Sequence, residues 1–335
     1  MQYNPISMAV LRSKDRVEFR AALLRWYQAN RRDLPWRRTR DPYQIWISEI
    51  MLQQTRVAVV IDRYRRFLKR FPSVRALAGA GETAVLAEWS GLGYYRRARN
   101  LHASAKLIVR EQGGKFTGWA SDLKNLPGIG RYTAAAIASI AFDEPVAVVD
   151  GNVERVLLRV TGWKLAGERM WSAAQELLDK QKPGDFNQAM MELGATVCLP
   201  AQPLCGQCPV RRFCRTRGTS AGTKRKPRQK RREARYLLAR RGDAVLLVRR
   251  PATHRLMPGM WELPEIRLPK DEPGRILFSL KHSITTTNYQ VHAIEAGEHV
   301  PARTAGSGRW IKNARLSEIP LTGLTRKILR RAGAI

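Results

Sequence analysis

Apolar residues recur at intervals of three and four from about Arg16 to Cys198, and that spacing predicts a run of short helices. The segments are Val17–Ala29, Gln44–Gln54, Arg56–Phe71, Gly81–Ser90, Arg96–Gln112, Arg131–Phe142, Asn152–Val160 and Phe186–Cys198. Pro35, Pro72, Gly91, Gly93, Pro127, Gly128 and Gly130 punctuate them. From Thr216 to Ala234 the chain turns to Gly, Ser, Thr, Lys and Arg with a lone Pro227, which is linker composition. Beyond it the period changes. Arg235–Ala239, Ala244–Arg250, Arg275–Ser283, Tyr289–Ala296 and Gly308–Ile311 predict strands, and Leu321–Arg331 a closing helix. The expectation is a multi-domain chain: an all-α domain over 1–215, a basic linker over 216–234, and a smaller α+β domain over 235–335. No internal repeat is visible.

Charge adds a partner class. The 335 residues carry 60 Lys and Arg against 28 Asp and Glu, a net charge of +32. Between Arg211 and Arg241 there are 14 basic residues and one acid, Glu233, yet the excess persists outside that stretch. A polyanion is the natural partner, because each phosphate contact made by Lys or Arg releases condensed counterions. Seven of the nine Trp precede residue 172, and indole and guanidinium planes both stack on bases. That mix favours nucleic acid over a membrane. No apolar run approaches the ~18 residues of a membrane span. Met1–Asp15 lacks a basic-then-apolar signal pattern, so the expected location is the cytoplasm, on the nucleoid of a bacterial cell.

The four cysteines are the sharpest signal. Cys198, Cys205, Cys208 and Cys214 form a C-x6-C-x2-C-x5-C pattern, and there are no others. Disulfides are disfavoured inside cells, so four thiols in one short loop point to a metal centre. Zinc sites usually pair two C-x2-C knuckles, whereas a cubane iron–sulfur cluster accepts unequal arms. The cluster is the first reading and zinc the second. Leu126-Pro127-Gly128-Ile129-Gly130 then precedes a helix-forming stretch. A glycine hairpin there exposes free N–H groups at a helix N-terminus, a ready phosphate site; an ordinary Gly-containing turn is the alternative. The five histidines show no ligand spacing, and Gly218–Gly222 fits a nucleophile-elbow pattern without a strand before it.

Two carboxylates stand in apolar surroundings. Glu49 sits within Ile47-Ser48-Glu49-Ile50-Met51-Leu52, and Asp150 ends the run Val146–Val149. Asp150 also suits the N-cap of the helix that follows, and Glu49 a satisfied core polar group. A pair of acids, one desolvated and protonated and one held ionised, is also the equipment for cleaving a glycosidic bond.

Taken together, the hairpin, the segment Val148-Val149-Asp150-Gly151-Asn152-Val153 and the cysteine loop resemble the helix–hairpin–helix DNA glycosylases with an iron–sulfur cluster. Leu34-Pro35-Trp36-Arg37, the run Trp46–Thr55 and Gly91-Leu92-Gly93-Tyr94-Tyr95 narrow the resemblance to the adenine DNA glycosylase family. It extends along nearly the whole chain, including the linker and a C-terminal domain resembling MutT and the Nudix fold. The resemblance implies a monomer that acts on duplex DNA, with no membrane partner, and hydrolyses the N-glycosidic bond of adenine opposite 8-oxoguanine or guanine. It implies a [4Fe-4S] cluster on the four cysteines, Glu49 as general acid and Asp150 as the carboxylate facing the sugar. Gln54, Thr55 and Tyr94 fall at DNA-contact positions, Gln54 and Tyr94 as wedges, and Gly128 and Gly130 at the phosphate. Arg37, Tyr132, Asn152 and Gln188 match positions that line the base pocket or support the acids. The similar endonuclease III family carries a lysine nucleophile where this chain has Tyr132. In the C-terminal domain Thr285 and Thr286 fall where the family carries a lesion-inspecting Ser-His pair: Thr285 keeps a hydroxyl, Thr286 lacks the imidazole. No Glu-rich metal helix follows Trp261-Glu262-Leu263-Pro264, so this domain is expected to read rather than to hydrolyse.

Overall fold

The computed structural model describes residues 9–218, 230–251, 253–254, 256–266, 275–284, 287–296 and 308–335. They divide into two compact units. The first comprises residues up to 68, 73–75 and 103–224; the second takes 69–72, 76–102 and 225–335.

The first unit is helical. Its main elements are α1 (Ser13–Asn30), α2 (Pro42–Leu52) and most of α3 (Val57–Arg70). After α4 (Val74–Gly79), α5 (Glu82–Glu88) and α6 (Arg96–Gln112) come α7 (Ala120–Leu123), α8 (Arg131–Phe142), α9 (Gly151–Thr161), α10 (Glu168–Leu177) and α11 (Pro183–Thr196). Asp41 starts α2 by accepting from the Tyr43 amide, with Pro42 in the first turn, where a missing N–H costs nothing. From Ile45 to Met51 α2 is buried on every side: Ile45, Trp46, Ile47, Ser48, Glu49, Ile50 and Met51 all lie in the interior. A helix apolar all round is a core helix. α8 packs on it, and Ala134, Ala135, Ala136 and Ala138 allow the close approach. α11 in turn packs on α1, α8 and α9.

The α9–α11 contact depends on a glycine. A Cβ on Gly194 of α11 would stand 2.6 Å from the Asn152 Cβ and 2.9 Å from its carbonyl oxygen. Arg155 of α9 seals the contact by donating to the Gly194 carbonyl at 2.7 Å and to Cys198 O at 2.7 Å.

The second unit carries the strands. β1 (Lys230–Leu238) pairs in parallel with β6 (Thr287–Glu295), which pairs antiparallel with β5 (Ile276–Ile284). In the other sheet β3 (Ala244–Arg249) pairs with β7 (Gly308–Lys312) and, at its two ends, with the short β2 (Arg240–Arg241) and β4 (Trp261–Glu262). Alternate residues Tyr236 and Leu238, Val245 and Leu247, Val291 and Ala293 face one core. Against it lie Leu324, Ile328 and Leu329 of α12 (Gly323–Arg331). Residues 76–102 join this unit through polar ties: Ser90 Oγ and the Tyr95 hydroxyl each donate to the Leu321 carbonyl at 3.1 Å, and Arg326 Nε donates to Ser90 Oγ at 2.9 Å.

Two features depart from the sequence expectation. β1 begins at Lys230, inside the stretch read as linker, because backbone pairing with β6 extends residues whose own side chains are exposed. Residues 76–102, read as part of the helical domain, group in space with the C-terminal sheets. No helix among the described residues is long and apolar enough to cross a membrane.

Gly194→Ala is expected to cost about 1–3 kcal/mol, as overpacking does, because the added methyl meets backbone of α9 rather than a flexible side chain. Urea denaturation checks it; an unchanged midpoint would contradict the close approach.

Candidate active site

Three elements of the first unit bring the expected acids together. Glu49 lies on the third turn of α2, with the residue only 6% exposed. Tyr132, in the first turn of α8, donates its hydroxyl to Glu49 Oε2 at 2.7 Å and stands 3.2 Å from Met191 Sδ of α11. Burial is the main force on the Glu49 carboxyl and pushes it up to about 7. The Tyr132 hydrogen bond and the Arg37 charge oppose the rise, while the neighbouring Asp150 charge adds to it. A carboxyl with that value holds a proton near neutrality.

Asp150 is an N-cap, as its sequence allowed. Its Oδ1 accepts from the amides of Asn152 at 2.9 Å and Val153 at 2.7 Å, and its Oδ2 accepts from Asn152 Nδ2 at 3.0 Å. These three donors fix the orientation of the carboxyl at the start of α9. Asn152 is itself held, because Arg155 donates to its Oδ1 at 2.8 Å. The N-cap that the sequence allowed is what the structure shows. Glu49, raised by burial, thus has the Asp150 carboxyl as a charged neighbour.

Arg37 does not touch Glu49 by a hydrogen bond. It donates to Glu192 Oε2 at 2.8 Å and to the Arg32 carbonyl at 3.1 Å, and its guanidinium lies 5.4 Å from the Tyr27 ring. Arg32 grips the same carboxylate at 2.8 and 2.7 Å. Burial works against ionisation of Glu192, yet these hydrogen bonds hold it down at about 2. Glu192, fully buried, and Met191 were missed from the sequence; the signal for Glu192 was a charge on the mostly apolar inner stripe of α11. Gln188 is half-buried on α11, and its amide makes no hydrogen bond among the described residues.

The expected DNA-contact residues have their own geometry. Gln54 and Tyr94 both adopt left-handed backbone, φ 56° and 45°, two of the five non-glycine residues to do so among those described. Gln54 is exposed in the loop after α2; Gln53 ties that loop to α8 by donating to Thr133 Oγ1 at 3.2 Å, and Thr55 closes it through its amide to Leu52 O at 3.2 Å. Tyr94, 50% exposed, belongs to the second unit. Gly128 takes φ +77°, which a side chain would resist, whereas Gly130 starts α8 from ordinary extended backbone with open space where a Cβ would stand. Thr285 and Thr286 lie outside the described residues.

Cys198, Cys205, Cys208 and Cys214 are all free thiols and line one cavity with Val156, Val160, Leu193, Val197 and Val210. Burial above all, with the other three cysteines adding to it, pushes the Cys208 thiol up to about 11. Gly218 closes the cavity at φ +101°, where a Cβ would come within 3.0 Å of Cys205 Sγ. The donor set and the apolar walls fit a thiolate-bound cluster.

The family model of the HhH-GPD superfamily base excision DNA repair proteins matches residues 47–180. A solved thermostable thymine-DNA glycosylase is 31% identical with a TM-score of 0.58, covering 61% of this chain and 97% of its own. The chain belongs to the HhH-GPD superfamily of base excision DNA repair proteins. Within that class, the adenine DNA glycosylase of Mus musculus is 50% identical over 216 residues, covering 60% of this chain and 42% of the mouse protein. The adenine DNA glycosylase of Arabidopsis thaliana is 39% identical over 309 residues, covering 75% and 48%. The chain thus spans about half the length, or less, of these relatives. A trapped endonuclease III–DNA complex, 22% identical with a TM-score of 0.54, shares the fold.

The raised value of Glu49 has a consequence for stability. Because the folded value lies above the ordinary 4.5, the proton stabilises the fold fully below about pH 4.5, and that contribution is lost as pH rises through 7. A permanently neutral Gln escapes the loss. The stability of Glu49→Gln relative to wild type is therefore expected to rise by about 3 kcal/mol between acid and mildly alkaline pH. Urea melts at both ends of the range measure it; a constant difference would mean that Glu49 is not desolvated.

Proposed function

We propose that this chain is an adenine DNA glycosylase that removes adenine mispaired with 8-oxoguanine, or with guanine, from duplex DNA. The observation that carries the reading is the buried Glu49 carboxyl, hydrogen-bonded to Tyr132 beside a capped Asp150 carboxylate. Adenine is a poor leaving group until a purine ring nitrogen is protonated, and a carboxyl near 7 can supply that proton. As the C1′–N9 bond breaks, its electron pair leaves with the protonated base and the sugar becomes oxocarbenium-like. Asp150 stabilises that charge or captures it covalently. Glu49, now ionised, takes a proton from the incoming water. Donation from Asn152 Nδ2 holds one Asp150 oxygen in place through these steps.

The adenine must leave the stack before chemistry. In this reading Gln54 and Tyr94 are the wedges, Thr55 and the hairpin around Gly128 and Gly130 hold phosphate, and Gln188 offers its free amide to the base. Tyr132 stands where a lyase carries lysine; a phenol forms no Schiff base, so the product strand is expected to stay intact. A [4Fe-4S] cluster on the four cysteines would tie the loop that carries Arg211, Arg212 and Arg215 toward phosphate. Residues 235–335 are assigned to reading the lesion, with Thr285 and Thr286 as its contact.

Single-turnover assays on duplexes with A opposite 8-oxoguanine, A opposite guanine, T opposite guanine and thymine glycol test the assignment. Only the two adenine substrates should lose a base, without strand cleavage until alkali. Glu49→Gln should lower the rate by ~10²–10⁴-fold with duplex binding retained, and Asp150→Asn should be nearly as severe. A tenth of the wild-type rate in either variant would overturn its role. Deleting residues 234–335 should erode the preference for 8-oxoguanine over guanine; equal loss on both mispairs would assign that domain general affinity instead.

A further inference from the structure

The hydroxyl of Tyr132 carries one proton and faces two acceptors: Glu49 Oε2 at 2.7 Å and Met191 Sδ at 3.2 Å. With Glu49 ionised, the proton points to the carboxylate and the thioether receives nothing from Tyr132. With Glu49 protonated, the carboxyl donates to the phenol oxygen, and the phenol proton turns to the sulfur. Only the second arrangement satisfies all three groups at once.

We infer that Met191 is a positioning residue, whose sulfur accepts the Tyr132 proton when Glu49 is in its acid form and thereby stabilises that form. The inference rests on the reading of Glu49 as the acid. For transfer the Glu49 proton turns from the phenol oxygen to the leaving base, and as it departs the Tyr132 hydroxyl hydrogen rotates from Sδ back to Oε2 and stabilises the new carboxylate. No atom of the enzyme moves further than a hydroxyl hydrogen. A sulfur suits the task because a thioether is a weak acceptor, strong enough to hold the proton in one state and to release it in the other.

The groups that bear on Glu49 are Tyr132 from α8, Asp150 from the turn before α9 and Arg37 from the turn before α2. Arg37 is committed to Glu192 on α11. Met191 adds no charge to this set. Leu in its place keeps the volume closely and removes only the acceptor.

The test is a titration of the Glu49 carboxyl by NMR in protein labelled with carboxyl-¹³C glutamate, the signal assigned by its absence in Glu49→Gln. Met191→Leu and Met191→Ile should both lower the Glu49 midpoint by about half a unit, since one weak neutral acceptor is lost from the acid form. In a Tyr132→Phe background the same substitutions should leave the midpoint unchanged. The alkaline limb of the single-turnover rate on A opposite 8-oxoguanine should move down with the titration. An unmoved midpoint in Met191→Leu overturns the inference, and so does an equal shift in both backgrounds, which would mean that the side chain acts by packing. The titration needs no substrate. An inactive wild type with the Tyr132-dependent shift intact would count against the proposed excision and leave the sulfur's role standing.

Discussion

A carboxyl buried in a helical core with one hydroxyl for a partner is expensive to ionise, and the first unit is arranged around that cost. α2 must be interior on every side to keep water from Glu49, so Trp46, Ile47, Ile50 and Met51 surround the acid on its own helix. α8 must approach closely enough to deliver Tyr132, which its run of alanines permits. The N-terminus of α9 must arrive from a third direction with Asp150, and α11 clamps that arrival through the Gly194 contact. Dryness, not any single bond, sets the proton affinity of the site.

The same unit treats a second buried carboxyl in the opposite way. Glu192 is as hidden as Glu49, yet two guanidinium groups and a backbone amide meet it, and it stays ionised far below neutrality. The two side chains differ by one methylene from an aspartate and by nothing from each other. Environment alone separates them by about five pH units, from about 7 to about 2. Arg37 joins the two systems: it neutralises Glu192 by contact and biases Glu49 only through space. Were it to turn toward Glu49, the acid would ionise and Glu192 would lose part of its compensation.

Much of this was legible where local signals were strong. Arg96–Gln112 and Arg131–Phe142 are helices over the ranges their periodicity indicated, and β3, β5, β6 and β7 fall within about two residues of theirs. Glu49 and Asp150 stood out because a charge inside an apolar run is costly without a reason. α10 went unseen because its inner stripe of Met170, Ala173, Ala174 and Leu177 is half alanine and contrasts weakly with its surface. Glu192 and Met191 were invisible as partners because their roles depend on Arg32, Arg37 and Tyr132, up to 160 positions away. The attachment of residues 76–102 to the second unit runs through hydroxyls and carbonyls at Ser90, Tyr95 and Leu321, which leave no hydrophobic pattern.

Backbone conformation supplies the last link. Gly91 and Gly93 take φ +97° and +69°, as glycine readily does, but Tyr94 beside them sits at φ +45° with a half-exposed ring. A glycine there would relieve strain of about 1–3 kcal/mol. The loop is braced instead: Arg97 donates to the carbonyls of Leu92 and Gly93, lies over both the Tyr94 and Trp89 rings, and the Trp89 indole donates to Gly93 as well. Gln54 repeats the pattern in the other unit, left-handed and exposed at the end of a helix otherwise buried. Neither side chain is packed into a core that would reward its conformation. Both backbones are held instead by the hydrogen bonds of their own loops, through Arg97 and Trp89 at Tyr94 and through Gln53 and Thr55 at Gln54.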